Sequence, residues 1–476
     1  MKKTKILFDI SHGIHGSTGI QQDMRRTLSF LIKQDDFEID FIVYDMINSV
    51  NYINFDIEDN INKYGEIVAQ SRLLSYFFNP AGESSLGGGR FLGRIKRWNY
   101  RRSLVNKNKV EFLKINKKFN ELIYKKLLKD GGTKDLLEKF KKSSVLMSTF
   151  STESLILGMM NENYKIPTLN TSEYDLAIFF QEIPFKISIN TKKVVRTYDL
   201  IQILGPDVVF KADYKSNYQC KSIKTCIEQK TIFSTISNTV KDQLNYFFGN
   251  DFIAQTIYVP ISDVFKKTND KFSISDYART CVVQDKGFNN LVPDMDFNYF
   301  LSVSTIEPRK NITTAYQSFK QLKMKDGHGN LKFILVGKIG WNLDNAYKNM
   351  FQDPDVIVLQ NVPTRDLPHI YSNAKALIYI PFQEGFGVPP AEAMSCGCPV
   401  ILSDIPVHRE VHGDTPLFVN HYDIDEVYQQ MKWIMDSKNI SKVNKLKIKG
   451  LDYVEKFRTV NLGKEWVSFI KKILES

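Results

Sequence analysis

The sequence is poor in cysteine and contains no long apolar run. Its five cysteines are an odd number, and Cys396 and Cys398 lack the second ligand pair or the added histidines that a zinc site usually shows. We expect them to be buried small residues. The apolar run of the opening segment stops after three residues at Asp9, far short of a signal-peptide core. No uninterrupted apolar stretch approaches the roughly 20 residues of a bilayer span. These absences predict a cytoplasmic protein.

The residues that are present suffice for two domains. The chain has 476 residues, whereas single hydrophobic cores stop growing near roughly 250 residues. Hydrophobic residues make up 43% and charged residues 25%, which are the proportions of a soluble globular protein. The net charge of +11 calls for an anionic partner, such as nucleic acid, a phosphorylated substrate or an anionic membrane surface.

Much of the excess positive charge lies between Arg90 and Lys129. Apolar residues recur there at helical spacing among many lysines and arginines, which predicts a basic amphipathic helix. Two interpretations stay open: a solvated helical face packed on its domain, or peripheral contact with an anionic membrane surface, the inner face of the cytoplasmic membrane. We expect no nucleic-acid partner, because the sequence carries no recognised binding module.

Short apolar runs of β type alternate with helix-length segments along most of the chain. This alternation predicts an α/β fold in which helices cover parallel sheets. The polar stretch from Lys266 to Phe297 interrupts the alternation and separates two series of runs. We predict the following organisation: a first domain over 1–289 with an inserted segment at about 55–142, a second domain over 290–457, and an amphipathic C-terminal helix over 458–476.

The sharpest local pattern follows a predicted strand, from Pro381 to Glu410. A glycine turn around Phe386 is followed by a helix that opens with two prolines, whose missing N–H donors would be unpaired in a first helical turn. In open α/β sheets, ligands lie beyond the carboxyl ends of strands, where a helix N-terminus offers N–H groups to anions. This segment is therefore a predicted ligand-binding edge.

Two carboxylates bracket the glycine turn. Glu384 precedes it and Glu392 lies one turn into the helix, so each could accept hydrogen bonds from a vicinal diol of a sugar or a ribose. The alternative is that Glu384 is a surface acid and Glu392 a first-turn acid favoured by the helix dipole. Arg309 and Lys310 follow another predicted strand, and such a pair could neutralise a diphosphate without a metal ion.

These motifs, in this order, resemble the retaining glycosyltransferases of family 4. Their C-terminal domain carries two glutamates separated by seven residues, as Glu384 and Glu392 are here. The resemblance extends through FLSVSTIEPRKN, LVGKIGW, the segment from NVPTRDLPHIY to HREVHGD, and the closing helix. It implies a GT-B fold: two Rossmann-like domains that face each other across a cleft, with the C-terminal helix docking back on the first domain.

Coverage of the first domain is patchier. STGIQQDMRRTL, which contains Gly19, resembles the family's glycine loop, and VVRTYDLIQILGPD resembles a segment that usually reads His-Asp-Leu. Tyr198 replaces that histidine before Asp199, and tyrosine cannot act as a base near neutral pH because its pKa is about 10. His12 and His15 lie in the first loop, where we expect loop or structural roles rather than a catalytic base.

The resemblance also implies roles for individual residues. Glu384 is expected to contact the hydroxyls of the donor sugar, Glu392 the ribose, and Arg309 with Lys310 the diphosphate. The catalytic group is completed by Tyr198 and Asp199. The remaining nucleotide-sugar contacts are expected from Gly19, Gly337, Gly385, Phe386, Gly387 and Val388. We assign no metal or other cofactor, because Asp294 to Asp296, which resembles a metal-binding Asp-x-Asp, falls in the predicted connection between domains.

These residues predict an enzyme that moves a hexose or deoxyhexose, with mannose, rhamnose and glucose all fitting, from a nucleoside-diphosphate sugar to a glycan or lipid-linked acceptor. The resemblance implies retention of anomeric configuration and points to bacterial surface-polysaccharide synthesis. An alternative from another class is a non-catalytic, sugar-nucleotide-binding subunit of a polysaccharide assembly complex. The sequence does not specify the nucleotide base, the sugar, the acceptor or the linkage, since specificity rests on a few contacts.

Overall fold

A computed structural model describes residues 3–14, 19–45, 57–78, 112–127, 134–151, 155, 159, 166–205, 212–282, 288, 291–340 and 343–475. Residues 90–111 and 128–129 of the basic segment, and His15 of the first loop, lie outside these ranges. Within the described part of the chain, none of the helices combines the length and the apolar character that a bilayer crossing needs.

The first domain is built on an eight-stranded sheet with the order β10-β9-β8-β6-β1-β2-β4-β3. All neighbouring strands are parallel except β3, which pairs antiparallel with β4 at the edge. A separate parallel pair is formed by β5 and β7. The strands are β1 (Thr4–Asp9), β2 (Phe37–Asp45), β3 (Phe112–Ile115), β4 (Val145–Ser151), β5 (Thr168–Leu169), β6 (Leu176–Phe179), β7 (Lys186–Ile187), β8 (Lys192–Thr197), β9 (Ile232–Thr235) and β10 (Ala254–Thr256).

Helices cover both faces of this sheet, because its strands are buried on both sides. They are α1 (Gly19–Leu31), α2 (Ile57–Tyr64), α3 (Glu66–Phe78), α4 (Asn120–Leu127), α5 (Lys134–Lys142), α6 (Ile201–Leu204), α7 (Ala212–Glu228) and α8 (Asn238–Phe248).

The second domain is a six-stranded, wholly parallel sheet with the order β13-β12-β11-β14-β15-β16. Its strands are β11 (Asn298–Val303), β12 (Leu331–Val336), β13 (Val356–Leu359), β14 (Leu377–Tyr379), β15 (Val400–Ser403) and β16 (Leu417–Val419). The strand order reverses between β11 and β14. At such a switch point the loops leaving two neighbouring strands diverge and open a crevice at the carboxyl edge.

The helices around the second sheet are α9 (Ile274–Cys281), α10 (Ile312–Asp326), α11 (Asn345–Gln352), α12 (Leu367–Asn373), α13 (Val388–Ser395), α14 (Pro406–His412), α15 (Ile424–Met435) and α16 (Ile440–Tyr453). After β10, Ile257 still packs in the first core, whereas Val259, Ile261 and Phe265 pack in the second. The apolar side chains of α9 then pack in the second core, so this helix, which lies before the predicted boundary at residue 290, is part of the second domain's packing.

The inserted segment differs from its predicted form. Phe112–Ile115 lies within the stretch predicted as an amphipathic helix, yet it is the antiparallel edge strand β3. Pairing with β4 supplies main-chain hydrogen bonds, and Ile115 is buried in the first core. The helix prediction is therefore wrong for these residues. It holds for α4, which follows in the same segment.

The C-terminal helix α17 (Thr459–Glu475) packs against α1 of the first domain, as predicted. Trp466, Phe469 and Ile470 are buried in the first core. An added Cβ at Gly463 would lie 2.2 Å from the ring of Phe30, so the two helices meet at nearly bare backbone. The strand β1 and the helix α17 therefore pack in the same domain, and α17 holds the second domain to the first at a second point.

We expect Trp466→Ala to lower the free energy of unfolding by about 3–5 kcal/mol, the range for removing a large buried aromatic side chain. Trp466 is only 1% exposed, and the Arg196 guanidinium lies 5.4 Å from its ring centroid. Urea denaturation followed by circular dichroism measures the change. Val460→Ala on the same helix is the control, since Val460 is 51% exposed and should change stability by less than about 0.5 kcal/mol. Equal effects of the two substitutions would contradict the docked position of α17.

Candidate functional site

Three donors converge on one carboxylate oxygen at the switch point of the second sheet. Oε1 of Glu384 accepts hydrogen bonds from the Tyr379 hydroxyl at 2.8 Å, from Nη1 of Arg309 at 3.1 Å, and from Nζ of Lys310. Tyr379 ends β14, and Arg309 and Lys310 lie in a short turn after β11. Because β11 and β14 are neighbours, two motifs distant in sequence meet at one edge. Among the described residues, no protein donor engages Oε2 of Glu384, which is the oxygen available to a ligand hydroxyl.

Arg309 is held on two sides by contacts within the protein. Its Nη2 donates to Glu307 at 2.9 Å, and its Nη1 also donates to the main-chain oxygen of Gln383 at 2.9 Å. The guanidinium therefore has a fixed orientation at the edge of the cleft. This preorganisation is what a site needs in order to stabilise negative charge without rearranging.

The charges of this cluster keep Glu384 ionised. Burial raises the pKa of Glu384, but Lys310 and Arg309 lower it more, to about 2. Burial and the neighbouring Arg309 lower the pKa of Lys310, and the charge of Glu384 opposes this decrease. Asp199 lies close enough for its charge to interact with Arg309 and Glu384, and burial raises the pKa of its carboxyl. At neutral pH the Glu384 carboxylate is thus ionised beside the Arg309 guanidinium.

The glycine turn touches the first domain directly. A Cβ on Gly385 would lie 2.0 Å from the main-chain oxygen of Tyr198, so only glycine permits this approach. The Ser237 hydroxyl donates to the main-chain oxygen of Gly385 at 2.9 Å. Phe386 is 2% exposed in the second core, and its ring lies 5.5 Å from that of Phe457. The turn is therefore packed in the core of its own domain and contacts the first domain.

Gly387 ends the turn with a φ of 84°, in the left-handed region that favours glycine, and α13 begins at Val388. Two buried histidines lie behind it: a Cβ on Gly387 would be 3.1 Å from Nε2 of His412 and 3.2 Å from Nε2 of His408. Burial lowers the pKa of His408 to about 4 and lowers that of His412 well below its ordinary value. Both imidazoles are neutral supports for the turn at neutral pH.

The N-termini of two helices face each other across the cleft. A Cβ on Gly19, the first residue of α1, would lie 3.9 Å from Cγ2 of Val388, the first residue of α13. Helix N-termini carry partial positive charge and unpaired N–H groups, which favour anions. The predicted contacts Gly19, Gly385, Phe386, Gly387 and Val388 are therefore brought together on the two walls of one cleft.

Glu392 is buried where α13 meets the first domain. It is 8% exposed, its Oε2 accepts from the Tyr371 hydroxyl at 3.4 Å, and its Oε1 lies 3.6 Å from Nη2 of Arg26 on α1. Burial raises the pKa of Glu392 to about 7, while Arg26 opposes this effect. The second glutamate thus faces a cation of the opposite domain.

Tyr198 turns its hydroxyl away from the Glu384 cluster. The hydroxyl donates to Oδ2 of Asp23 at 2.8 Å, and Asp23 is paired with Arg196 at 2.8 Å in the interior of the first domain. Burial, followed by Asp23, raises the pKa of Tyr198 well above its ordinary value. Its main-chain oxygen, rather than its hydroxyl, lies against Gly385. Asp199, the next residue, faces Arg309.

Other predicted residues have structural contacts. Gly337 lies at the end of β12, where a Cβ would be 1.8 Å from the main-chain oxygen of Ser304. The absence of a side chain at Gly337 therefore lets two strand ends pack closely. Asp294 pairs with Arg279 at 3.0 Å, and Asp296 accepts from the Ser273 hydroxyl at 2.8 Å. His12, Cys396 and Cys398, which the sequence analysis also considered, are buried within their domains.

Four contributors to the site were not predicted. Tyr379 could have been found from its place at the end of an otherwise aliphatic strand, five residues before Glu384. Glu307 lies two residues before Arg309 in the same motif. Arg26 and Asp23 carry no local signal, because their partners lie far away in sequence.

A family model described as Glycosyl transferases group 1 matches residues 283–450. These residues are similar to the group 1 glycosyl transferase domain. The matched residues include Arg309, Lys310, Glu384 and Glu392, so the cluster at the switch point lies entirely within this domain.

Two bacterial relatives share part of the sequence. The O-antigen chain mannosyltransferase B of Escherichia coli is 37% identical over 132 residues, which are 27% of this chain and 34% of that protein. The O-antigen chain mannosyltransferase RfbU of Salmonella typhimurium is 30% identical over 253 residues, 53% of this chain and 61% of that protein. The chain thus matches less than two thirds of the length of either relative.

Solved structures resemble the whole chain in fold. Sucrose-phosphate synthase from Thermosynechococcus elongatus aligns over 100% of both chains with a TM-score of 0.57 at 11% identity. A structure described as trehalose-6-phosphate from E. coli bound with UDP-2-fluoro glucose covers 98% of this chain and 99% of that chain, with a TM-score of 0.54 at 9% identity. At such identities the likeness concerns the fold alone. It is the GT-B fold, which confirms the predicted fold class.

Proposed function

We propose that the protein is a retaining hexosyltransferase. It moves a hexose or deoxyhexose from a nucleoside-diphosphate sugar to a hydroxyl group of a glycan or a lipid-linked glycan. The observation that carries this proposal is the convergence of Arg309, Lys310 and Tyr379 on Glu384 at the switch point of the group 1 domain. Such an array supplies both a carboxylate for sugar hydroxyls and cations for a diphosphate.

In the proposed reaction the bond between the anomeric carbon and the β-phosphate oxygen breaks, and the acceptor oxygen bonds to that carbon on the same face. The departing phosphate oxygen takes the acceptor proton, so no protein base is needed. Arg309, Lys310 and the N-terminus of α13 stabilise the negative charge that develops on the leaving diphosphate. Oε2 of Glu384 accepts from sugar hydroxyls and orients the ring. The first domain, at Tyr198 and Asp199, forms the acceptor side of the cleft.

Mannose is the sugar to test first, and bacterial surface-polysaccharide synthesis is the proposed setting. Both follow from the relatives, which are named as O-antigen chain mannosyltransferases. A lipid-linked acceptor would place the enzyme at the inner face of the cytoplasmic membrane, with residues 90–129 as the basic contact. Lysines near an anionic leaflet contribute about 1 kcal/mol each to such binding.

A non-catalytic subunit that binds sugar nucleotides is the second candidate. It is favoured by the burial of the Tyr198 hydroxyl at the position where the family usually has histidine. It is disfavoured by the complete charge cluster around Glu384, which a protein released from catalysis need not keep. A purified protein that binds a nucleotide sugar but transfers nothing to a broad panel of acceptors would favour this candidate.

A calorimetric screen of GDP-, UDP-, dTDP-, ADP- and CMP-sugars without added metal tests the donor. We expect one nucleotide class to bind, and we expect Arg309→Ala and Glu392→Ala each to weaken it at least about tenfold, since each removes a charged hydrogen-bonding group. Asp425→Asn is the control, because the Asp425 side chain is 75% exposed on α15. Binding that neither site substitution weakens would contradict the assigned site. If no sugar nucleotide binds, the proposed function is contradicted.

A further inference from the structure

A buried arginine of the first domain reaches the donor side of the cleft. Arg26 is 6% exposed on α1, and its Nη1 donates to the main-chain oxygen of Pro260 at 2.6 Å. This contact fixes one side of the guanidinium on the segment that connects the two domains. Its Nη2 lies 3.6 Å from Oε1 of Glu392 in the second domain.

The other side of this guanidinium has unused hydrogen-bonding capacity. Nε and Nη2 of Arg26 are buried and have no hydrogen-bond partner among the residues that the structure describes. Buried guanidinium groups normally satisfy their five N–H donors. The unpaired edge faces the wall that carries Glu392, which is the residue assigned to the donor ribose.

The position of α1 is fixed, so Arg26 cannot easily turn away. Asp23, one helical turn earlier, pairs with Arg196 at 2.8 Å, and both side chains are fully buried. Met24 and Leu28 pack in the first core on the same helix. A long side chain on such a fixed helix loses little further freedom when it engages a partner.

Glu392 has few other polar neighbours that could keep it charged. Tyr371 of α12 donates to its Oε2 at 3.4 Å, a long contact, and the Cys396 thiol at the end of α13 lies within electrostatic reach. Around Arg26 itself, Asp23 and Asp263 contribute negative charge. Arg26 is therefore the cation, among the described residues, that faces the Glu392 carboxylate.

We propose that Arg26 is a positioning residue of the donor site: it crosses the cleft to keep the Glu392 carboxylate ionised and turned toward the donor ribose. This inference rests on the proposed function. An ionised carboxylate accepts hydrogen bonds from both hydroxyls of a vicinal diol, whereas a protonated one must use one oxygen as a donor. The pair also joins α1 to α13, so ribose binding and closure of the two domains depend on the same contact.

The sign of the pH effect follows from the charges. Burial raises the pKa of Glu392 to about 7 in the presence of Arg26, which opposes the rise. Removing Arg26 should raise this pKa further, so the carboxylate would ionise only at higher pH. Donor binding that needs the ionised form should then be weakened at neutral pH and recovered in alkaline solution.

The first test needs no ligand. Carbon-13 NMR of protein labelled at the glutamate carboxyl carbons, with Glu392→Gln used for assignment, follows the titration of Glu392 in the full chain. We expect Arg26→Gln to move that titration upward by at least one pH unit and Arg26→Lys, which keeps a cation, to move it less. An unchanged titration in Arg26→Gln would overturn the proposal.

The second test measures binding of UDP and of GDP by calorimetry at pH 6, 7.5 and 9. For the nucleotide that binds, we expect Arg26→Gln to weaken affinity about tenfold at pH 6 and about threefold at pH 7.5, and to recover at pH 9, since raising a pKa of about 7 by one unit lowers the ionised fraction by these factors. A weakening that is the same at every pH would mark a merely structural role and overturn the proposal.

A double-substitution cycle guards against simple misfolding. If Arg26 acts through Glu392, Arg26→Gln combined with Glu392→Gln should bind the nucleotide no more weakly than Glu392→Gln alone. Arg279→Gln, an exposed arginine paired with Asp276 and Asp294, is the control and should change neither readout. If none of the five nucleotide classes screened above binds the unsubstituted chain while the NMR shift is present, the ion pair exists but its donor role and the proposed function both fail.

Discussion

Glu384→Gln should lower turnover by at least roughly a hundredfold, the scale for losing a preorganised charged contact in an active site. Glutamine has the size of glutamate but no charge, so Arg309, Lys310 and Tyr379 would lose the ion that holds them together. The ligand hydroxyl at Oε2 would lose a charged acceptor as well. The measurement is kcat and kcat/KM for sugar transfer, with the donor identified by calorimetry. We expect kcat to fall more than KM changes, because the contact strengthens as charge develops.

The same substitution separates catalysis from stability. The pKa of Glu384 lies near 2, below that of an unfolded glutamate, so its ion pairs stabilise the fold above about pH 4.5 and lose that effect only as the pH falls toward 2. Glu384→Gln should therefore reduce stability at neutral pH but not near pH 2. Asp425→Asn, which removes an exposed charge from the same domain, should leave turnover unchanged. Turnover within about threefold of the unsubstituted enzyme in folded Glu384→Gln would refute the assigned role.

The second domain was predictable because its signals are local. Its six strands are continuous apolar runs, and glycines and charged residues directly follow two of them. In a parallel sheet these positions meet at the carboxyl edge, so the cluster of Arg309, Lys310 and Glu384 follows from the motifs and the strand order together. Tyr379 was missed although it belongs to the same pattern, since a tyrosine ending a buried strand also reads as core.

The first domain was less predictable, and the reason differs for each element. The central strand β6 is a short apolar segment of four residues, and such a segment fits a buried strand or a buried turn of helix equally well. The antiparallel strand β3 lies in a stretch whose lysines and apolar residues also fit a helix. Choosing between strand and helix there depends on the open edge of β4, which no local pattern reveals.

The contacts between the domains could not be predicted from any segment alone. Nη2 of Arg26 on α1 lies 3.6 Å from Oε1 of Glu392 on α13. Glu410 of α14 accepts from the main-chain N–H groups of Asn238 and Thr239 at 2.6 and 2.7 Å, capping a helix of the other domain. Each contact requires both domains to be folded and facing each other. The contacting residues are far apart in sequence and come together only in the folded protein.

Gly385→Ala should reduce kcat/KM about a hundredfold while leaving each domain folded. The new Cβ would lie 2.0 Å from the main-chain oxygen of Tyr198, about 1 Å closer than atoms tolerate, and neither atom belongs to a flexible side chain. The two walls of the cleft must therefore separate by about an ångström, and a displacement of that size at reacting groups costs about a hundredfold in rate. Steady-state transfer kinetics measure the loss, and circular dichroism checks that the variant is folded.

Gly329→Ala is the matched control for this experiment, since a Cβ at Gly329 meets nothing within 4 Å. A smaller loss is expected from Gly19→Ala at the opposite wall, where the new Cβ would be 3.9 Å from the Val388 side chain, an ordinary contact. The expected loss of activity therefore decreases in the order Gly385→Ala, Gly19→Ala, Gly329→Ala. The first new Cβ collides with main chain, the second contacts a side chain, and the third meets open space. Equal activity of Gly385→Ala and Gly329→Ala would mean that catalysis does not need the contact between Gly385 and Tyr198, and the cleft would have to close in another way.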